Sequence, residues 1–135
     1  MEIVLTNRPN ERKRLLEALQ AFAAEHRLPV KVLQGADLAL EEHLTNIFSY
    51  AYADATVHEI RVRLSCDERA LHVEVEDDGQ AFNPLEVPPA DTSVPLEQRP
   101  VGGLGIHLMR KLMDALDYRR EGGRNILCMA KRLEA

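Results

Sequence analysis

Hydrophobic positions along the chain change their period several times, and each change marks an element. Residues 2–6 (EIVLT) form a short β-prone run that Asn7 and Arg8-Pro9 bring to an end. From 9 to 27 the apolar residues Leu15, Leu16, Leu19, Phe22 and Ala23 recur at helical spacing, with Arg12, Lys13, Glu17 and Glu25 on the other side. That pattern predicts an amphipathic helix. Pro29 prevents its simple continuation. A second helix is expected after Gly35, from 37 to about 53, with Asp37 as its N-cap and Leu40, Leu44, Ile47, Phe48 and Ala51 turned inward. Residues 57–66 then alternate, Ile60, Val62, Leu64 and Cys66 against Glu59, Arg61, Arg63 and Ser65, which is the period of a half-buried strand. Asp67-Glu68-Arg69 connects it to Leu71, Val73 and Val75, interleaved with His72, Glu74 and Glu76, so an antiparallel hairpin is predicted.

No apolar period survives from Asn83 to Val101, where five of the seven prolines lie (Pro84, Pro88, Pro89, Pro95, Pro100). A connection this long inside a compact domain is usually either functional or disordered. Gly102 to Gly105 then open a third helix carrying Leu104, Leu108, Met109, Leu112, Met113 and Leu116. Residues 117–121 and 124–132 read as a hairpin turned at Gly122-Gly123. The order β, α, α, β, β, loop, α, β, β implies an α+β chain: a two-layer sandwich of a mostly antiparallel sheet with the helices on one face. A length of 135 residues suits one domain spanning 1–135.

Composition narrows the function classes. With 45% apolar and 29% charged residues the chain can bury a core and is not disordered as a whole. The 22 acidic against 17 basic side chains give a net charge of -5, the wrong sign for holding a phosphate backbone by general charge. No stretch approaches the roughly 18 to 20 apolar residues of a membrane span. Glu2, Arg8, Glu11, Arg12, Lys13 and Arg14 stand where a signal peptide would be apolar. The expectation is an unprocessed cytoplasmic protein whose partners include neither nucleic acid nor membrane. Cys66 and Cys128 are too far apart for a Cys-x-x-Cys site and are expected as reduced core thiols. His26, His43, His58, His72 and His107 show no ligand spacing with them and read as structural or surface residues.

Three segments carry candidate chemistry. Val101-Gly102-Gly103-Leu104-Gly105-Ile106 places glycines where a loop becomes a helix, so backbone N–H groups can approach an anion that the helix dipole attracts. Glu76-Asp77-Asp78-Gly79-Gln80-Ala81-Phe82 closes a strand with carboxylates and a glycine, and a carboxylate there can accept from an exocyclic amine. Glu42 and Asn46 share a helix face at i, i+4, a carboxylate beside an amide that can serve a hard cation. Each also has an ordinary reading: a glycine turn, an Asp-Gly turn, a solvated helix face.

Taken together, Glu42-x-x-x-Asn46, Asp77-x-Gly79-x-Ala81-Phe82 and Gly102-Gly103-Leu104-Gly105-Ile106-His107-Leu108-Met109-Arg110 resemble, in order and spacing, the nucleotide-binding boxes of the GHKL ATPase superfamily. Within it, Glu42-His43-Leu44-Thr45-Asn46 and the ending Arg119-Arg120-Glu121-Gly122-Gly123-Arg124-Asn125 look most like the anti-sigma factor serine/threonine kinases. The resemblance implies the Bergerat ATP-binding sandwich, with ATP and Mg²⁺ as ligands. Asn46 would ligate Mg²⁺, and Glu42 would be the general base toward a serine or threonine hydroxyl. Asp77 would bind the adenine amino group, with Gly79 and Ala81 beside the base. Gly102, Gly103, Leu104, Gly105 and Ile106 would hold the phosphates under a lid at 83–101. Implied partners are an anti-anti-sigma factor as substrate, a sigma factor, and a second copy of the chain in a homodimer.

The sequence departs from the pattern at three places. Tyr50 stands where relatives often have histidine, and Ala81 replaces a glycine of many histidine kinases. No threonine occurs from Asn125 to Cys128, where some relatives place one near the adenine. The alternative function is a non-catalytic ATP-binding regulatory module, against which the presence of Glu42 speaks, because a pure binder needs no base. A sandwich that binds no nucleotide would leave the glycines and the lid unexplained.

Overall fold

The computed structural model of the chain describes residues 1–8, 11–48, 58–86 and 103–134, with backbone only at 103–106. Within them lie the strands β1 (Glu2–Thr6), β2 (Glu59–Cys66), β3 (Ala70–Asp77), β4 (Ala115–Glu121) and β5 (Arg124–Arg132), and the helices α1 (Glu11–Glu25), α2 (Val30–Asn46) and α3 (Gly103–Leu112). The strands join in the order β1-β2-β3-β5-β4, every neighbouring pair antiparallel. Alternation along the strands makes the two faces of the sheet different. Leu5, Ile60, Val62, Leu64, Val73, Val75, Leu127 and Met129 are buried together with Leu19, Phe22, Leu40, Leu44 and Met109 of the helices. The expected α+β sandwich, with its helices on one face, is what forms.

The other face is a lattice of paired charges. Arg63 donates from Nε to Glu2 at 2.8 Å and from Nη1 to Glu74 at 2.7 Å, and Arg119 reaches Glu74 at 3.4 Å. Partly exposed pairs of this kind contribute about 0–1 kcal/mol each, so they solubilise the face more than they stabilise it.

Two boundaries and one burial differ from the sequence pattern. Helix α2 begins at Val30, seven residues before the expected start, and Asp37 lies inside it rather than capping it. The break between α1 and α2 needs only Arg27 at a left-handed φ of 54°, the Leu28 N–H returning to the Ala23 carbonyl at 2.9 Å, and Pro29 as N-cap. Gly35 is helical and buried, because a Cβ there would come within 2.7 Å of Lys131 Cε. Lys131 in turn donates to the Leu112 carbonyl at 2.6 Å, so its stem occupies the gap between α2 and the C-terminal end of α3. Leu116 belongs to β4, which starts at Ala115 instead of 117. Leu16, read as part of the buried stripe of α1, is 36% exposed.

The cysteines also divide. Cys66 is partly buried against the core, but Cys128 faces the charged side, its Sγ 3.7 Å from Glu74 Oε1 and from Arg119 Nη1. It is therefore not a core thiol, although partial burial still pushes the thiol above its ordinary pKa. Both cysteines are free thiols.

Two outcomes follow from this packing. Leu40 is fully buried and Leu38, on the same helix, is 42% exposed. Chemical denaturation should show Leu40→Ala losing about 2–5 kcal/mol and Leu38→Ala less than about 1 kcal/mol. His43 is buried with Nδ1 unpartnered among the described residues, and burial lowers its pKa from 6.5 to about 4. Between those values the unfolded chain binds a proton that the folded chain does not, so stability falls as pH drops from 6.5 toward 4. His43→Gln should flatten stability against pH in that window, by up to about 1.4 kcal/mol per unit; parallel curves for the two proteins would refute this.

Candidate functional site

Helix α2 buries one face along its length, from Val32 to Asn46. Its early turns lie over Lys131, near the end of β5, and eleven residues at 1.5 Å carry the chain about 16 Å further. Asp77 and Asn125 stand paired in the β3–β5 register at the end of these strands away from Lys131. Asn46 is 3% exposed and its Nδ2 has no hydrogen-bond partner among the described residues. Leaving an amide group so buried and unsatisfied costs about 1–3 kcal/mol, which a polar ligand would remove. Glu42, one turn earlier, is partly buried, and no described residue bonds or pairs with its carboxylate. Glu41 points away from it and pairs with Arg12.

At the end of β3, Asp77 faces the helix layer and is 2% exposed. Its Oδ1 accepts from the Gly79 N–H at 2.9 Å and from Asn125 Nδ2 at 3.0 Å. Among the described residues, Oδ2 has no partner. Burial raises the Asp77 pKa above its ordinary value; the bonds from Asn125 and Gly79 act against that rise, and the Asp78 charge adds to it. The result is a buried acceptor with one oxygen fixed and one to offer.

Gly79 is buried beside Asp77, whereas Ala81 is exposed. Gly103, Leu104, Gly105 and Ile106 form the opening turn of α3, about 14 Å along the helix axis from the Lys131 anchor at Leu112. Gly102 lies outside the described residues, as do Tyr50 and most of the expected lid. The described part of that lid is a short 3-10 turn at 84–86, where Asn83 Oδ1 accepts from the Leu85 N–H at 2.9 Å. Arg110 of α3 donates to the Leu85 carbonyl at 2.5 Å and so ties the turn to the helix.

Sequence reasoning passed over one residue in this region. Asn125 is 5% exposed and bonds Asp77, Phe82, Tyr118, Arg120 and the Gln80 carbonyl. A signal was present, since Asn125 and Asp77 both stand at strand ends next to glycine-containing turns, but the strand order that makes them neighbours is not written in local pattern. A concavity of about 620 Å³ lies elsewhere, on the charged face beside Arg63, Glu74 and Cys128. Its arginine and glutamate walls already pair with one another.

Comparison with known proteins agrees with these elements. Residues 5–131 match the family model described as a histidine kinase-like ATPase domain. A serine-protein kinase RsbW from Bacillus thuringiensis is 32% identical over 99 residues, and one from Bacillus cereus (strain AH820) is 34% identical over the same length. Each match covers 70% of this chain and 61% of the relative, so the chain spans less than two thirds of those proteins. Among solved structures, a Mycobacterium tuberculosis protein with RsbU and RsbW domains is similar at a TM-score of 0.65 and 15% identity, over 98% of this chain and 32% of that one. The histidine kinase domain of an Erythrobacter litoralis blue-light activated kinase is similar at 0.57 and 21%, over 91% of this chain and 59% of that one. At such identities the structures speak for the fold alone. With the family model matched across nearly all of its length, the chain belongs to the histidine kinase-like ATPase domain family.

Proposed function

We propose that this chain binds Mg-ATP and transfers its γ-phosphoryl group to a serine or threonine of an anti-anti-sigma factor, and that it also holds a sigma factor. The observation that carries the reading is Asp77: a buried carboxylate with one oxygen fixed by protein donors and the other without a partner among the described residues. Such an oxygen suits the exocyclic amine of adenine and repels the carbonyl oxygen of guanine. The residues present also suit a magnesium ion: the Asn46 amide has an oxygen to offer the cation, and its buried Nδ2, which no described residue bonds, has a donor for a phosphate oxygen. When bound, Mg²⁺ would be held by Asn46 and would draw charge off the phosphates. The opening turn of α3 supplies backbone N–H groups and the positive end of a helix dipole to the same phosphates. The similarity to serine-protein kinases supports the choice of protein hydroxyl over water as acceptor.

In this reading Glu42 accepts the proton of the substrate hydroxyl while that oxygen attacks the γ-phosphorus. The bond from phosphorus to the β,γ-bridging oxygen breaks, and ADP leaves. Phosphoryl transfer asks the protein chiefly to position groups and neutralise charge, and a carboxylate that no described residue pairs, one turn before Asn46, meets the first need. Labelled ATP with a candidate anti-anti-sigma protein should give a phosphorylated partner. Glu42→Gln should lower the rate by about 10² to 10⁴ fold at nearly unchanged ATP affinity. Asn46→Ala should weaken Mg-ATP binding and turnover together, and Glu41→Gln should be nearly silent. Binding without any transfer by the wild type would favour a regulatory nucleotide-binding module instead.

Calorimetry tests the base assignment separately. ATP should bind much better than GTP, and Asp77→Asn should remove most of that preference, since an amide can turn a donor toward the amine. Equal ATP and GTP affinities in the wild type would remove Asp77 from this role.

A further inference from the structure

We infer that Asn125, fixed by Tyr118 and Arg120, is the positioning residue that aims the unpaired oxygen of Asp77 at the base, so that nucleotide selectivity depends on a side chain that itself makes no contact with the nucleotide. The inference rests on the adenine reading of Asp77 proposed above. A carboxamide has two N–H donors and two acceptor lone pairs. Here Oδ1 of Asn125 accepts from Tyr118 Oη at 2.5 Å, Arg120 Nη1 at 3.0 Å and the Phe82 N–H at 3.2 Å. Nδ2 donates to Asp77 Oδ1 at 3.0 Å and to the Gln80 carbonyl at 2.9 Å. Every polar capacity of this buried amide is spent inside the protein, leaving none for a ligand.

The same count fixes which way the amide faces. Arginine, a backbone N–H and a phenol meet one end, and a carboxylate and a carbonyl meet the other, so a flip would set donors against donors and acceptors against acceptors. The N–H aimed at Asp77 is therefore determined by the donor-only groups, Arg120 of the edge strand β4 and the Phe82 N–H, with the Tyr118 hydroxyl adding a third bond. Arg120 also donates to the Gly79 carbonyl at 2.8 Å. Together these bonds hold the Asp77 carboxylate in one orientation before any ligand arrives, which lowers the cost of presenting its oxygen to an amine.

The test compares ATP with purine riboside triphosphate, which lacks the 6-amino group, by calorimetry on the full chain, with circular dichroism to verify folding. Wild type should prefer ATP. Asn125→Ala should lose about 10- to 100-fold in ATP affinity while affinity for the analogue changes little, so the preference collapses. Asn125→Asp should lose at least as much, because two carboxylates would then oppose each other. Asn125→Thr, which retains one donor toward Asp77, should recover most of the preference. A folded Asn125→Ala with the wild-type preference overturns the inference, as does an equal loss for both nucleotides, which would mark Asn125 as a staple of the loop only. If the alanine variant does not fold, equal preferences in the aspartate and threonine variants overturn it. Absence of preference in the wild type would instead remove the adenine reading, and this inference with it, before any variant is made.

Discussion

A carboxylate cannot be left ionised against an apolar core without donors, and Asp77 stands where the core face of β3 ends. The local structure is arranged around that constraint. The strand order sets β5 beside β3, and their register brings Asn125 opposite Asp77. The chain turns at Gly79 so that its N–H returns to the same oxygen. Because both donors act on Oδ1, the carboxylate is satisfied enough to stay buried and still has an oxygen to spare.

A second joint aligns the helices with that end of the sheet. Lys131 lies where three elements meet, its stem against Gly35 of α2 and its ammonium on the last carbonyl of α3. A side chain at position 35 would compete with that stem for space, and losing the lysine would leave the helix carbonyl without its charged cap. From this joint α2 runs, one face buried, to Glu42 and Asn46, and α3 runs back to its glycine-containing first turn. The three sequence boxes, far apart along the chain, are thereby carried by a sheet and two helices tied at one point. Rigid elements of this kind, more than loops, suit the positioning that phosphoryl transfer demands.

Much of this was legible in the sequence because the signals were local. Strict alternation in 59–66 and 70–77 marked the hairpin, and Gly122-Gly123 marked its C-terminal counterpart, where φ values of 56° and 77° make the turn. What failed to show was set by tertiary contacts. The start of α2 was hidden because Gly35 reads as a breaker until Lys131 is seen lying across it. The exposure of Leu16 depends on how α1 meets α2, and the outward face of Cys128 on the parity of β5, neither of which a residue-by-residue pattern carries. Asn125 was missed for the same reason: its meaning comes from a register with Asp77, 48 residues away.

The most direct measurement is a titration of the isotope-labelled chain with Mg-ATP followed by amide NMR. The account predicts shifts concentrated at Asn46, Asp77, Gly79, Asn125 and the first turn of α3, with the charged sheet face around Glu74 and Cys128 unmoved. Saturating Mg-ATP that leaves those amides unshifted, or that moves the charged face instead, would contradict it.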